Sequence, residues 1–68
     1  MGNLIGEQIK QRRKELKITQ SSLAELANVS LNTLSRIESG KANPTIDVIA
    51  KIADILGFEL KLVIKNSL

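Results

Sequence analysis

A small all-α domain of four helices, closed by a short C-terminal β-strand, is the fold class this sequence predicts, and three observations predict it. Apolar residues recur at three- and four-residue spacing through most of the chain, the periodicity of amphipathic helices. Thr19, Ser30 and Thr45 each stand just before such a run, where a hydroxyl can accept from an unpaired backbone N–H, while Asn28, Gly40 and Gly57 stand at the far ends. From Phe58 onward the period drops to two. At 68 residues the chain reads as one domain, 1–68. A domain of this size buries only about 60% of the surface its unfolded form exposes, so the core is thin and a partner subunit would help.

The elements follow in order. Ile5, Ile9 and Leu16 mark helix one over 5–17, with Gln8, Gln11, Lys14 and Glu15 on its other faces. Thr19 caps helix two, whose apolar stripe is Leu23, Ala24, Leu26 and Ala27. The chain must reverse at Asn28 and Val29, and Asn tolerates the left-handed conformation that such a reversal needs. Ser30 opens helix three over 31–39, and Gly40 ends it. After the loop GKANP, Thr45 caps helix four, in which Ile46, Ile49, Ile52, Ala53 and Leu56 repeat at three and four, and Gly57 closes it. Phe58, Leu60, Leu62 and Ile64 then alternate with Glu59, Lys61, Val63 and Lys65, as in a strand over 58–64 with one face to bury.

Composition excludes much. The chain contains neither cysteine nor histidine, which removes disulfides, thiolate chemistry, the usual general base and the commonest metal ligand. We therefore expect no enzyme, no catalytic residue, no metal and no cofactor. No apolar run approaches the roughly 20 residues of a membrane span, and the N-terminal MGNLIGEQ lacks the flank and core of a signal peptide, so a cytoplasmic protein away from membranes is expected. Ten Lys and Arg against seven Asp and Glu give a net charge of +3, which leans toward a polyanionic partner.

Helix three carries the functional question. At about 100° per residue, Leu34 and Ile37 fall on one side, while Asn32, Ser35, Arg36 and Ser39 fall opposite and Leu31 lies at the margin. A DNA major groove admits one helix, and its base edges match Asn on adenine and Arg on guanine bidentately. Any exposed helix of a small soluble protein carries polar residues, so this face alone does not decide; what brackets it does. Gln20 and Ser30 sit at helix N-termini, where backbone N–H groups favour a phosphate. Lys41 and Asn43 lie in the loop beyond helix three, placed to hold DNA backbone on its other flank. The segment 19–39 thus has the layout of a helix-turn-helix that reads double-stranded DNA.

These residues resemble a known family. Ile9 with Arg12, Arg13 and Leu16, then TQ, LAELA and RIESGK running into NPT, are similar to the helix-turn-helix of Cro/C1-type (Xre-type) bacterial regulators, with the lambda-repressor-like fold, over about 5–56. The resemblance implies that Gln20 contacts a phosphate or a base edge, that Leu31, Asn32 and Arg36 face the bases, and that Ser30, Lys41 and Asn43 bind backbone. It implies an internal ion pair between Arg13 and Glu38, and it leaves Lys10 and Arg12 as solvated charges. Asn28 stands where the family often has Gly. Leu31 occupies a reading position that is often polar, where it can make only apolar contact, most simply with a thymine methyl.

The tail departs from the many family members that end in a fifth helix. A lone strand has no partner inside a helical chain, so Phe58, Leu60, Leu62 and Ile64 are expected to form a dimer interface by pairing with a second copy; a fifth helix or an extended tail packed on its own chain is the alternative. Such a homodimer presents two reading helices about 34 Å apart, suited to a palindromic operator. The sequence therefore predicts a dimeric transcriptional regulator, a repressor by preference. Its C-terminal half also resembles the antitoxins of Hip-type toxin–antitoxin modules, which implies a toxin protein as an alternative partner. Only Asn66, Ser67 and Leu68 follow the strand, so a toxin would have to bind the folded surface. No small-molecule ligand is expected, and the operator sequence is not legible.

Overall fold

The computed structural model describes residues 3–65; the start of the 1–68 domain reading and its last three residues, Asn66, Ser67 and Leu68, lie outside them. The described chain is all-α, with α1 at Asn3–Glu15, α2 at Gln20–Leu26, α3 at Leu31–Glu38 and α4 at Ile46–Leu56. Helices α3 and α4 each pack against both α1 and α2. Each of the three hydroxyl caps is made: Thr19 accepts from the Ser22 N–H at 3.0 Å, Ser30 from Thr33 at 3.0 Å and Thr45 from Val48 at 3.2 Å.

All four helices stop by one device. Lys17, Asn28, Gly40 and Gly57 adopt left-handed φ values of 59°, 57°, 76° and 82°. In each case the next residue donates its N–H back five positions: Ile18 to Arg13, Val29 to Ala24, Lys41 to Arg36 and Phe58 to Ala53. This Schellman closure satisfies carbonyls that the helix end leaves without partners. At Lys17 a long side chain occupies a conformation that glycine takes freely, so that turn holds against local preference, whereas Asn28 tolerates it.

The core is Ile9, Leu23, Ala24, Ala27, Leu34, Ile37, Ile49, Ile52 and Leu56. Several residues read as core are not. Ile5 and Leu16 are exposed, Leu26 is 61% exposed and Ile46 80%. In α1 the reason is Gly6, which is buried and where a Cβ would collide with the Ile37 carbonyl oxygen. The helix seats on α3 through that glycine and through Ile9, which turns Ile5 outward, while Leu16 falls in the reversal after the last turn. Leu26 lies roughly 100° from the centre of the stripe made by Leu23, Ala24 and Ala27. Ile46 is in the first turn of α4, beyond the reach of the core.

Residues 58–65 carry neither helix nor intrachain strand pairing. The fifth-helix alternative is thus absent among the described residues.

Candidate nucleic-acid interface

The site is built from α3 and what flanks it. Leu34 and Ile37 are buried, and they anchor the helix so that Leu31, Asn32, Ser35, Arg36 and Ser39 all face solvent. At its start, the Ser30 hydroxyl caps the helix through the Thr33 N–H and also donates to the Thr33 hydroxyl at 2.8 Å. At its end, the Arg36 guanidinium donates to the Lys41 carbonyl at 2.8 Å, and the Lys41 N–H returns to the Arg36 carbonyl at 2.8 Å. Arg36 is therefore drawn toward the loop that holds Lys41 and Asn43, both exposed. Asn32 has no hydrogen-bond partner for its amide among the described residues, which leaves its donor and acceptor open on the same face.

Under this face lies a buried charge network. The Glu38 side chain is only 2% exposed. Its carboxylate accepts from Arg13 Nε at 2.8 Å, from Arg13 Nη2 at 3.1 Å and from Gln20 Nε2 at 3.0 Å. Arg13 Nη1 donates to the Ile18 carbonyl at 2.9 Å. One fork-to-fork pair thereby ties α1, the α1–α2 turn, the head of α2 and the end of α3 together. Gln20, expected at a phosphate or a base edge, spends one amide N–H on Glu38, which leaves its second N–H and its carbonyl oxygen for a contact outside the domain. The signal was present in the composition of the segment but not in its spacing, because Gln20 and Glu38 belong to different helices.

Arg12 corrects the reading of a solvated charge. Its Nε donates to the Leu56 carbonyl at 2.9 Å, and Nη1 meets Glu15 at 3.3 Å. It caps the C-terminal end of α4, where carbonyls are unpaired and a cation is favoured by the helix dipole. No periodicity in α1 could have shown it, since the partner lies on another helix near the far end of the chain.

A helix capped at 30, anchored by Leu34 and Ile37 and preceded by a reversal through Asn28 is the geometry of the helix-turn-helix, and the Helix-turn-helix family model matches residues 9–63. The chain belongs to the Cro/C1-type helix-turn-helix family. It is 38% identical to the immunity repressor protein of Bacillus phage phi105 over 60 residues, which is 88% of this chain and 42% of that protein. It is 36% identical over 58 residues to a putative HTH-type transcriptional regulatory protein of Methanococcus maripaludis, covering 85% of this chain and 18% of the relative. It is 42% identical over 53 residues to multiprotein-bridging factor 1b of Arabidopsis thaliana, covering 78% and 37%. The chain spans less than half the length of each of these relatives. The described part has no helix long and apolar enough to cross a membrane.

Proposed function

We propose that this chain is a cytoplasmic, dimeric transcriptional repressor that places α3 in the major groove of a palindromic operator. The observation that carries the reading is the division of α3 between the buried Leu34 and Ile37 and the exposed Asn32, Ser35 and Arg36. Asn32 reads adenine, and Ser35 and Leu31 contact neighbouring base edges, the latter through a thymine methyl. Arg36 exchanges its bond to the Lys41 carbonyl for guanine or for a phosphate beside it. Gln20 offers its free carbonyl oxygen to a base amino group, while Ser30, Lys41 and Asn43 hold the phosphates on either side. The likeness to an immunity repressor supports repression over activation.

Selection of bound duplexes from a random pool tests this. A two-fold symmetric consensus with half-sites about 10 bp apart is expected; an asymmetric consensus or no enrichment defeats it. The antitoxin alternative rests on the likeness of residues 39–62 to Hip-type antitoxins. It requires a stoichiometric toxin protein to co-purify with the chain from its source cell, and the repressor reading requires none.

A further inference from the structure

Residues 58–65 leave the body of the domain with apolar side chains uncovered: Leu62 is 102% exposed, Ile64 95% and Val63 82%. Glu59 Oε1 and Lys61 Nζ meet at 3.5 Å, so these two side chains lie on one side of the segment, as the two-residue alternation of its sequence requires. Leu60 and Leu62 form one wall of a groove of about 790 Å³, with Ile5, Pro44, Ile46 and Ile49 among its other walls.

We propose that the occupant of this groove edge is a second copy of the same segment, paired antiparallel about a two-fold axis that passes through Leu62. The proposal rests on the dimer reading above and adds a register to it. Symmetry cannot exchange a hydrogen-bonded residue pair for a non-hydrogen-bonded one, so a true two-fold must pass through a residue that opposes itself. The charges then choose among the available centres. An axis at Lys61 sets two ammonium groups directly opposite each other, and an axis at Val63 sets Lys61 opposite Lys65 twice; like charges so placed are destabilising. An axis at Leu60 carries Ile64 past the partner's extended segment onto its α4, where no strand can pair. An axis at Leu62 places Glu59 opposite Lys65 on both sides, Leu60 opposite Ile64 on both sides, and Leu62 opposite itself. No like charges stand directly opposite each other. The partner's Ile64 then comes beside Leu60 at the groove, where Ile46 is otherwise bare. Charge and apolar side chains that complement themselves about one residue commit this edge to a copy of the same chain.

The chain contains no cysteine, so single cysteines at 60, 61, 62 and 63 report the axis by oxidative cross-linking. Leu62→Cys should form the covalent dimer roughly tenfold faster than Leu60→Cys, Lys61→Cys or Val63→Cys, since a disulfide needs the close approach of two Cβ atoms. Fastest cross-linking at any of the other three positions overturns the register and leaves the dimer standing. A monomer in sedimentation equilibrium, for wild-type chain that still binds the selected operator, overturns the register and the dimer but not DNA reading. Glu59→Lys should weaken the dimer roughly tenfold, and adding Lys65→Glu to the same chain should restore it. Failure of that restoration overturns the Glu59–Lys65 pairing.

Discussion

Asn32 and Glu38 belong to the same short helix and meet opposite conditions. Asn32 faces solvent with its amide open, whereas Glu38 is sealed beneath the helix with its carboxylate oxygens occupied by Arg13 and Gln20. Substitution should separate the two roles. Asn32→Ala is expected to leave the thermal midpoint unchanged and to relax preference at one operator position by about 1–3 kcal/mol; competition binding against single-base variants of the selected site measures this, and an unaltered preference would remove Asn32 from the reading set. Glu38→Ala strands the Arg13 guanidinium in the interior. Breaking a buried pair in this way costs about 3–5 kcal/mol, comparable to the total stability of roughly 3–10 kcal/mol expected for a chain this short. Urea denaturation should show the variant largely unfolded, with Arg13→Met and Glu38→Leu together recovering much of the loss; a stable Glu38→Ala domain contradicts the network. Gln20 shows why the sequence was a partial guide at this scale. Its type and its place at a helix head were visible, but its bond to Glu38 exists only because α2 and α3 meet.

At the scale of elements, caps and stops were the most legible features. Ser and Thr at 19, 30 and 45 and the left-handed residues at 28, 40 and 57 act through bonds to near neighbours in the chain, so local sequence suffices to place them. The stop of α1 leaves no such mark in the sequence, because Lys17 takes a conformation that its residue type does not advertise. Replacing it by glycine should stabilise the domain by about 1 kcal/mol, the approximate penalty of a side chain in that region. A thermal midpoint that falls on Lys17→Gly would show that the Lys side chain contributes more than its strain. Burial was less legible than periodicity implied. Ile5 and Ile46 follow helical spacing yet face outward, because the close seat of Gly6 on α3 sets the rotation of α1, and because the first turn of α4 lies beyond the core.

The described molecule combines the polar face of α3, a loop with Lys41 beyond its end, and an apolar tail. Its modest net charge of +3 matters through placement: Lys41 lies just beyond the end of α3 and neutralises a phosphate in the proposed complex. Operator affinity should therefore fall steeply with salt, because each phosphate contact contributes a slope of about −0.9 in the logarithmic plot. Lys41→Ala should weaken binding to all sequences alike and reduce that slope by about 1. A titration in which Lys41→Ala changes sequence preference and leaves the slope intact would move Lys41 from backbone to base contact. In the proposed dimer the tail sets the remaining property, since the spacing of the two copies of α3 depends on how residues 58–65 of each copy meet.

By itself, the sequence determined which segments are helical, where α2, α3 and α4 are capped and stopped, and which face of α3 is polar, because caps, turns and hydrophobic period are interactions among residues close in the chain. Only the tertiary structure decided that Arg12 caps α4, that Gln20 is shared with the Glu38 network, and that Ile5 and Ile46 line an open groove instead of the core. Each of these depends on how one helix is rotated and seated against another. That rotation is set at contacts such as Gly6 against Ile37, which link residues far apart in sequence and leave no periodic trace along the chain.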